Sequence, residues 1–328
     1  MTGAQAASGP SIGLVVIGRN EGERLRRCLA SIDCAAYPVV YVDSGSTDGS
    51  VAMAQAMGAR VVELDTAIAF TAARARNAGW HRLVELAPEI DAVQVVDGDC
   101  ELEAGWLTAA GQFLIENPVA AVVCGRRRER FPEASRYNAM CDAEWNTPVG
   151  QARECGGDAL MRLSALVAAG GFDPTIVAGE EPELCTRLRA GGWQIWRIDA
   201  PMTIHDAAMV RFGQWWVRAT RSGYGYAQTF AATRGRAHPL YRRELRRAAF
   251  WGGVVPAAAA ISAAAGSLLL AGAIACGWAA QGLRLMRRHG FHRGGLLMLA
   301  KPAELLGALT WARQQVSASA RPRRFAYK

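Results

Sequence analysis

No Gly-x-Gly-x-x-Gly opens the first helical stretch of this 328-residue chain, and no Gly-x-x-x-x-Gly-Lys-Ser/Thr occurs in it. Those two absences remove the dinucleotide fingerprint and the P-loop, and with them the simplest oxidoreductase and NTPase readings. The eight cysteines (Cys28, Cys34, Cys100, Cys124, Cys141, Cys155, Cys185, Cys276) form no Cys-x-x-Cys pair and no zinc-ligand spacing. They read as small buried residues of a reducing compartment. Met1 to Ser11 has neither a charged leader nor an apolar core, so no cleaved signal peptide is expected and the catalytic half is expected to face the cytosol. Internal repeats and low-complexity linkers are missing too. Acidic residues almost vanish after Val210: positions 211–328 carry 19 Lys and Arg against 2 Asp and Glu, whereas 1–210 carry 18 against 27. A formal net charge of +8 therefore hides acidic N-terminal two thirds and a basic C-terminal third suited to an anionic surface, either nucleic acid or an anionic membrane leaflet. Finally, no charged residue occurs in the 36 positions 248–283.

What is present is an alternation of apolar runs and helical patterns. Ile12 to Ile17, Val39 to Val42, Arg60 to Leu64, Ala92 to Val96 and Ala120 to Cys124 read as strands. Helical spacing follows at Leu25–Ile32, Val51–Met57, Thr71–Leu86 and Trp106–Ile115, which predicts a mostly parallel sheet with helices on both faces. Arg126 to Arg130 reads as a basic turn on a solvated surface. Gly156–Arg162 reads as a strand entering from a glycine turn, and Gln194–Ile198 and Met202–Ile204 as two short strands, the second stopping at His205-Asp206.

The fourth strand ends in Asp97-Gly98-Asp99. Open α/β sheets bind ligands at the carboxyl ends of their strands, and two carboxylates one residue apart offer hard oxygen ligands for Mg²⁺ or Mn²⁺. The plain alternative is a strand-end turn. Likewise, the acids Glu180, Glu181 and Glu183 suit a helix N-terminus whatever else they do.

Taken in order, Val16-Ile17-Gly18-Arg19-Asn20-Glu21, Val42 to Gly49, Ala75-Arg76-Asn77-Ala78-Gly79, Asp97-Gly98-Asp99 and Gly179 to Leu184 resemble the family 2 glycosyltransferases of the GT-A fold. The resemblance covers the first 210 residues. It implies a Rossmann-like sheet that binds a nucleotide-diphospho-sugar, with Asn20, Glu21, Asp43 and Ser44 holding the nucleoside and Arg76 facing the nucleotide. Asp97 and Asp99 would hold ribose and a divalent metal (Mn²⁺ or Mg²⁺), and Glu181, second of an acidic pair with Glu180, would be the catalytic base. His205 is a third candidate metal ligand because it ends a strand on the same edge. Two departures stand out: Ser44 replaces a frequent second aspartate, which leaves the nucleotide open, and the base is Glu where the family has Asp.

One base and one metal suggest single displacement with inversion. Beyond the catalytic domain (1–210), three further segments are expected: basic amphipathic interfacial helices at 211–247, a hydrophobic membrane helix or hairpin at 248–283, and a basic amphipathic segment at 284–328. As one helix, 248–283 would span about 54 Å against roughly 30 Å of hydrocarbon, and both flanks are basic. A hairpin turning near Gly266-Ser267 fits that arithmetic. Gln214 to Arg218 differs in spacing from the Gln-x-x-Arg-Trp element of processive polysaccharide synthases, so one sugar per acceptor is expected. The reading is a glycosyltransferase at the cytoplasmic face of the inner membrane, acting on a lipid-linked or surface-glycan acceptor and not on nucleic acid. The rival is a GT-A-like scaffold that binds nucleotide and membrane without turnover.

Overall fold

The computed structural model describes residues 10–236 and 239–317. The polar residues 1–9 and the basic stretch from Arg321 onward lie outside the described residues. The chain divides into two compact units, one running to Arg130 and resuming over Cys141–Ala207, the other formed by Phe131–Met140 and the chain from Ala208 on.

The first unit is built on a nine-stranded sheet. Its strands are β1 (Ile12–Gly18), β2 (Val39–Asp43), β3 (Arg60–Glu63), β4 (Ala92–Asp97), β5 (Cys100–Leu102), β6 (Ala120–Glu129), β7 (Gly150–Ala152), β8 (Ala159–Arg162) and β9 (Gln194–His205). The order is β3-β2-β1-β4-β8-β6-β9-β5, with β7 on β9. β1, β2, β3 and β4 are parallel, and the runs of β1, β2 and β4 are almost wholly buried, as a sheet covered on both faces requires. β8 enters antiparallel between β4 and β6 and so restores a common direction, because β6 is antiparallel to β8 in turn and β9 is parallel to β6. The carboxyl ends of β1, β2, β4, β6 and β9 therefore share one edge, and the residue that begins β8 faces the same edge.

Two readings from the sequence change. The basic run 126–130 is not a turn: β6 continues through Glu129, with register shifts against β9 on either side of Arg126. The two short strands expected at 194–204 are one strand of 12 residues, and Arg126↔Pro201 pairing shows how the proline is carried at an irregular step.

The core lies on both faces of the sheet, with Val15, Val42, Leu83, Val95 and Trp106 on one side and Leu14, Leu25, Leu29 and Tyr41 on the other. Helix Ala72–Leu86 lies so close to the sheet that a Cβ on Gly79 would stand 2.2 Å from Val15 Cγ1 and 3.0 Å from Val42 Cγ2. Alanine is the better helix former by about 1 kcal/mol, so in open space Gly79→Ala would stabilise. Here the overpacking cost of about 1–3 kcal/mol should win. The expected result is a lower melting temperature, and a higher one would show that this contact is not tight.

The second unit is helical: Phe212–Thr233, Arg242–Ala249, Val255–Ala264, Leu268–His289 and Phe291–Val316, with a π-helical turn at Phe250–Val254. The uncharged run breaks at Ala265 to Ser267, with Gly266 at φ 78°, and Val255–Ala264 packs on Leu268–His289. Among the described residues Leu268–His289 is long and apolar enough to cross a membrane, with a mean hydropathy of 1.4. Leu268, Leu269 and Leu270 on it are exposed, Leu269 at 92 %.

Candidate active site

β4 ends at Asp97, and Gly98 N–H donates to Ile17 O at 2.8 Å, fixing the turn that separates Asp97 from Asp99. The register of β9 does the rest. His205 lies opposite Cys100 on β5 and opposite Glu129 on β6, so its ring is flanked by Asp99 and by Glu129. Nε2 stands 3.4 Å from Asp99 Oδ1, and Nδ1 stands 3.4 Å from Glu129 Oε2. Glu129 is buried and also accepts from Ala207 N at 3.1 Å. One face of this pair is a carboxylate–imidazole couple at the sheet edge; behind it a second carboxylate orients the ring, as metal-binding histidines require. Asp99, Cys100 and His205 place their ligand atoms within 4.8 Å of one another, and Asp97, Cys100 and Asp158 do the same. Asp99 and His205 are each 14 % exposed, open enough for an ion to enter. The carboxylate oxygen suits Mn²⁺ or Mg²⁺, and the imidazole beside it favours Mn²⁺ of the two.

Asp97 is placed differently from Asp99. Arg76 Nη2 holds its Oδ1 at 2.9 Å and Arg127 Nη2 its Oδ2 at 2.9 Å. Burial is the largest influence on this carboxyl and pushes its pKa up, but the two guanidiniums together outweigh it and leave it below the usual range. Its backbone N–H donates to Asp158 Oδ1 at 3.0 Å, and Asp158 Oδ2 accepts from Thr203 Oγ1 at 2.7 Å. Gly157 precedes Asp158 because nothing larger fits: a Cβ there would stand 2.7 Å from Asp97 Oδ2 and 3.1 Å from Arg76 Nη2.

Arg76, on the inner face of its helix, is 2 % exposed and meets three carboxylates. Besides Asp97 these are Glu180 Oε1 at 2.6 Å and Glu181 Oε1 at 2.8 Å, both on Nη1, and the guanidinium lies over the Phe172 ring at 5.6 Å. Glu180 and Glu181 open helix Glu180–Ala190 after Gly179, whose φ of 91° turns the chain into the helix. Glu183 faces elsewhere and is engaged by Arg187 one turn on, at 2.7 Å. Glu181 is therefore the more open of the two acids at Arg76, with its side chain 13 % exposed against 6 % for Glu180. Its pKa is pushed up to about 7, first by burial and then by the charge of Glu180, with Arg76 opposing.

At the first two strand ends the loops hold each other. Asn20, at φ 53°, accepts from Thr47 N at 2.7 Å, and its own N–H donates to Ser46 Oγ at 2.9 Å. Asp43 accepts from Tyr41 OH, Gly45 N and Ser46 N at 2.9, 2.8 and 2.7 Å. Glu21 pairs with Arg24 at 2.6 Å. The Ser44 hydroxyl is buried without a hydrogen-bond partner, a group that a ligand could satisfy. Of the residues within this constellation, sequence reasoning does not single out Glu129 or Trp145, offers Asp158 only as a fallback candidate for the base, and reads Arg127 as part of a solvated basic run. A pairing of Arg127 with Asp158 becomes visible only when β8 is known to run antiparallel.

The chain matches the glycosyl transferase family 2 model over residues 14–157. It is 27 % identical over 236 residues to the succinoglycan biosynthesis protein ExoA of Rhizobium meliloti, a match spanning 68 % of each chain. In fold it is similar to the mannosyltransferase PcManGT of Pyrobaculum calidifontis, solved in complex with GDP-Man and Mn²⁺, with a TM-score of 0.61 at 20 % identity over 92 % of this chain and 88 % of that one. The fold is GT-A-like, and the match over 14–157 makes that stretch similar to the family 2 glycosyltransferases.

Proposed function

We propose that the chain moves a sugar, with inversion, from a nucleotide-diphospho-sugar to a lipid-linked glycan at the cytoplasmic face of the inner membrane. The observation that carries this reading is the meeting at one sheet edge of a carboxylate–imidazole pair, Asp99 with His205, and a carboxyl held near neutrality, Glu181. Asp99 and His205 would hold the divalent cation, which supplies neutralisation of the leaving diphosphate. Glu181 takes the proton of the acceptor hydroxyl as that oxygen attacks the sugar, and its raised pKa matches a general base working near pH 7. Arg76 orients Glu181 and balances part of the acidic charge around it. Asn20, Glu21, Asp43 and Ser44 line the strand ends where the nucleoside would sit, and the unpartnered Ser44 hydroxyl is ready to bond it. Since PcManGT was solved with GDP-Man and Mn²⁺, GDP-sugars are the first donors to try, and since ExoA is named for succinoglycan biosynthesis, a growing polysaccharide is the first acceptor. The decisive experiment is thermal shift of the full chain with UDP-, GDP- and dTDP-sugars in Mn²⁺. Stabilisation by one nucleotide series supports the reading, and no response to any of them removes it.

Membrane attachment rests on the exposed apolar helix Leu268–His289 and the arginines around it, Arg284, Arg287, Arg288 and Arg293 after the uncharged run and Arg242, Arg243, Arg246 and Arg247 before it. The full chain should stay with sedimented membranes through a high-salt wash and leave only with detergent. Release by salt alone would reduce the attachment to surface electrostatics.

A further inference from the structure

Arg127 lies outside every motif of the resemblance, yet its guanidinium reaches more of the site than any group except Arg76. The register shifts flanking Arg126 in β6 leave Arg127 pointing inward, while the next residue, Arg128, is exposed. Nη2 holds Asp97 Oδ2 at 2.9 Å and approaches Cys100 Sγ at 2.8 Å, and Nε ion-pairs with Asp158 Oδ2 at 3.1 Å. The face of the guanidinium lies 5.2 Å from the centre of the Trp145 ring. That ring in turn meets His205 edge-on, with centroids 4.7 Å apart. Burial opposes charging of this group, but Asp158 and Asp97 keep it a cation.

We propose that Arg127 is a positioning residue for the cation site, working in two directions from one side chain. Toward β4 it occupies the second oxygen of Asp97, so with Arg76 on the first oxygen Asp97 is withheld from the ion, and Asp99 with His205 are the protein's direct ligands. Toward β9 it seats Trp145, which fixes the plane of His205. A planar fork with an aromatic face can do both at once; a lysine ammonium could replace only the charge. The inference rests on the metal reading above and assigns the ligands within it.

The test is Mn²⁺ binding to the full-length protein in the presence of UDP or GDP, followed by the EPR signal of free Mn²⁺, together with melting temperature. Outer-sphere partners bonded to a metal ligand typically carry about 10- to 100-fold in affinity, and Arg127, which reaches His205 only through Trp145, should carry less. Arg127→Gln should therefore weaken Mn²⁺ severalfold, and Arg127→Lys should recover only part of that. Trp145→Leu leaves the ion pairs of Arg127 in place and should still weaken Mn²⁺ severalfold, which guards against a misfolded Arg127 variant. A lower melting temperature with wild-type Mn²⁺ affinity in both Arg127→Gln and Trp145→Leu would make the pair structural and overturn the inference. If the wild-type protein takes up no Mn²⁺ with either nucleotide, the metal reading itself falls, a result separate from the failure of Arg127.

Discussion

Glu181→Gln should lower kcat by roughly 10² to 10⁴ while leaving donor binding close to that of the wild type. The amide keeps the size and the reach to Arg76 but has no proton affinity near pH 7. Glu180 and Glu183 are the internal controls. Glu183 is tied to Arg187 within its own helix, so Glu183→Gln should cost stability and little turnover. Glu180→Gln removes a partner of Arg76 and the like charge beside Glu181, so the pKa of Glu181 should fall. The pH profile gives a second readout. A base whose pKa is about 7 must lose its proton to work, so kcat/KM should rise with pH up to about 7 and flatten above it. The same shift has a stability consequence of known sign. A carboxyl raised from 4.5 to about 7 binds its proton more tightly folded than unfolded, so its contribution is complete below pH 4.5 and is lost as pH rises toward 7. Glu181→Gln should remove both the kinetic limb and this slope. A variant that turns over normally would move the base to Glu180, and if Glu180→Gln is active as well, the acidic cluster is a helix cap.

The second large effect is expected at Asp99. Asp99→Asn keeps the side-chain volume but takes away the charge that offsets a divalent cation, so nucleotide-sugar binding should lose its dependence on Mn²⁺. Calorimetry with and without EDTA reads this directly. The wild type should bind donor far more weakly in EDTA, and the variant should be weak in both. Unchanged wild-type affinity in EDTA would remove the cation from donor binding. Asp97→Asn is the informative contrast, because that side chain is already shared between two guanidiniums. Its loss frees Arg76 and Arg127, and the damage should appear in stability as well as in binding, since two buried cations lose a partner together.

Much of this arrangement is written locally. Apolar runs that stop at Asp43, at Asp97 and at His205 specify strands and the residues at their ends, because a buried strand needs continuous apolar character and its last residue must be the one that can face solvent or ligand. Glycines mark where the chain must turn or let another element approach: Gly179 before the acidic helix and Gly79 against Val15. The helical break at Gly266 was legible in the same way, from a length of uncharged chain too great for one span.

Pairings between distant segments could not be read so. Whether 126–130 is a turn or a strand depends on whether β9 is beside it, and β9 is continuous only because its bulged register against β6 absorbs Pro201. Taken alone, five residues with four arginines resemble a solvated surface; once paired, they send Arg127 inward to Asp97 and Asp158 and leave Arg128 outside. Arg76 is the same lesson at a residue whose importance was evident. The family resemblance implies that it faces a nucleotide, while the structure shows three carboxylates around it, which only the meeting of β4 with helix Glu180–Ala190 brings within reach. The sequence by itself determined the α/β alternation, the carboxylates at the strand ends and the uncharged C-terminal run, since each depends on neighbours within a few residues. Tertiary structure alone decided which carboxylates are held by arginine and which pair with His205, because an ion pair is set by distances in space that no local period encodes.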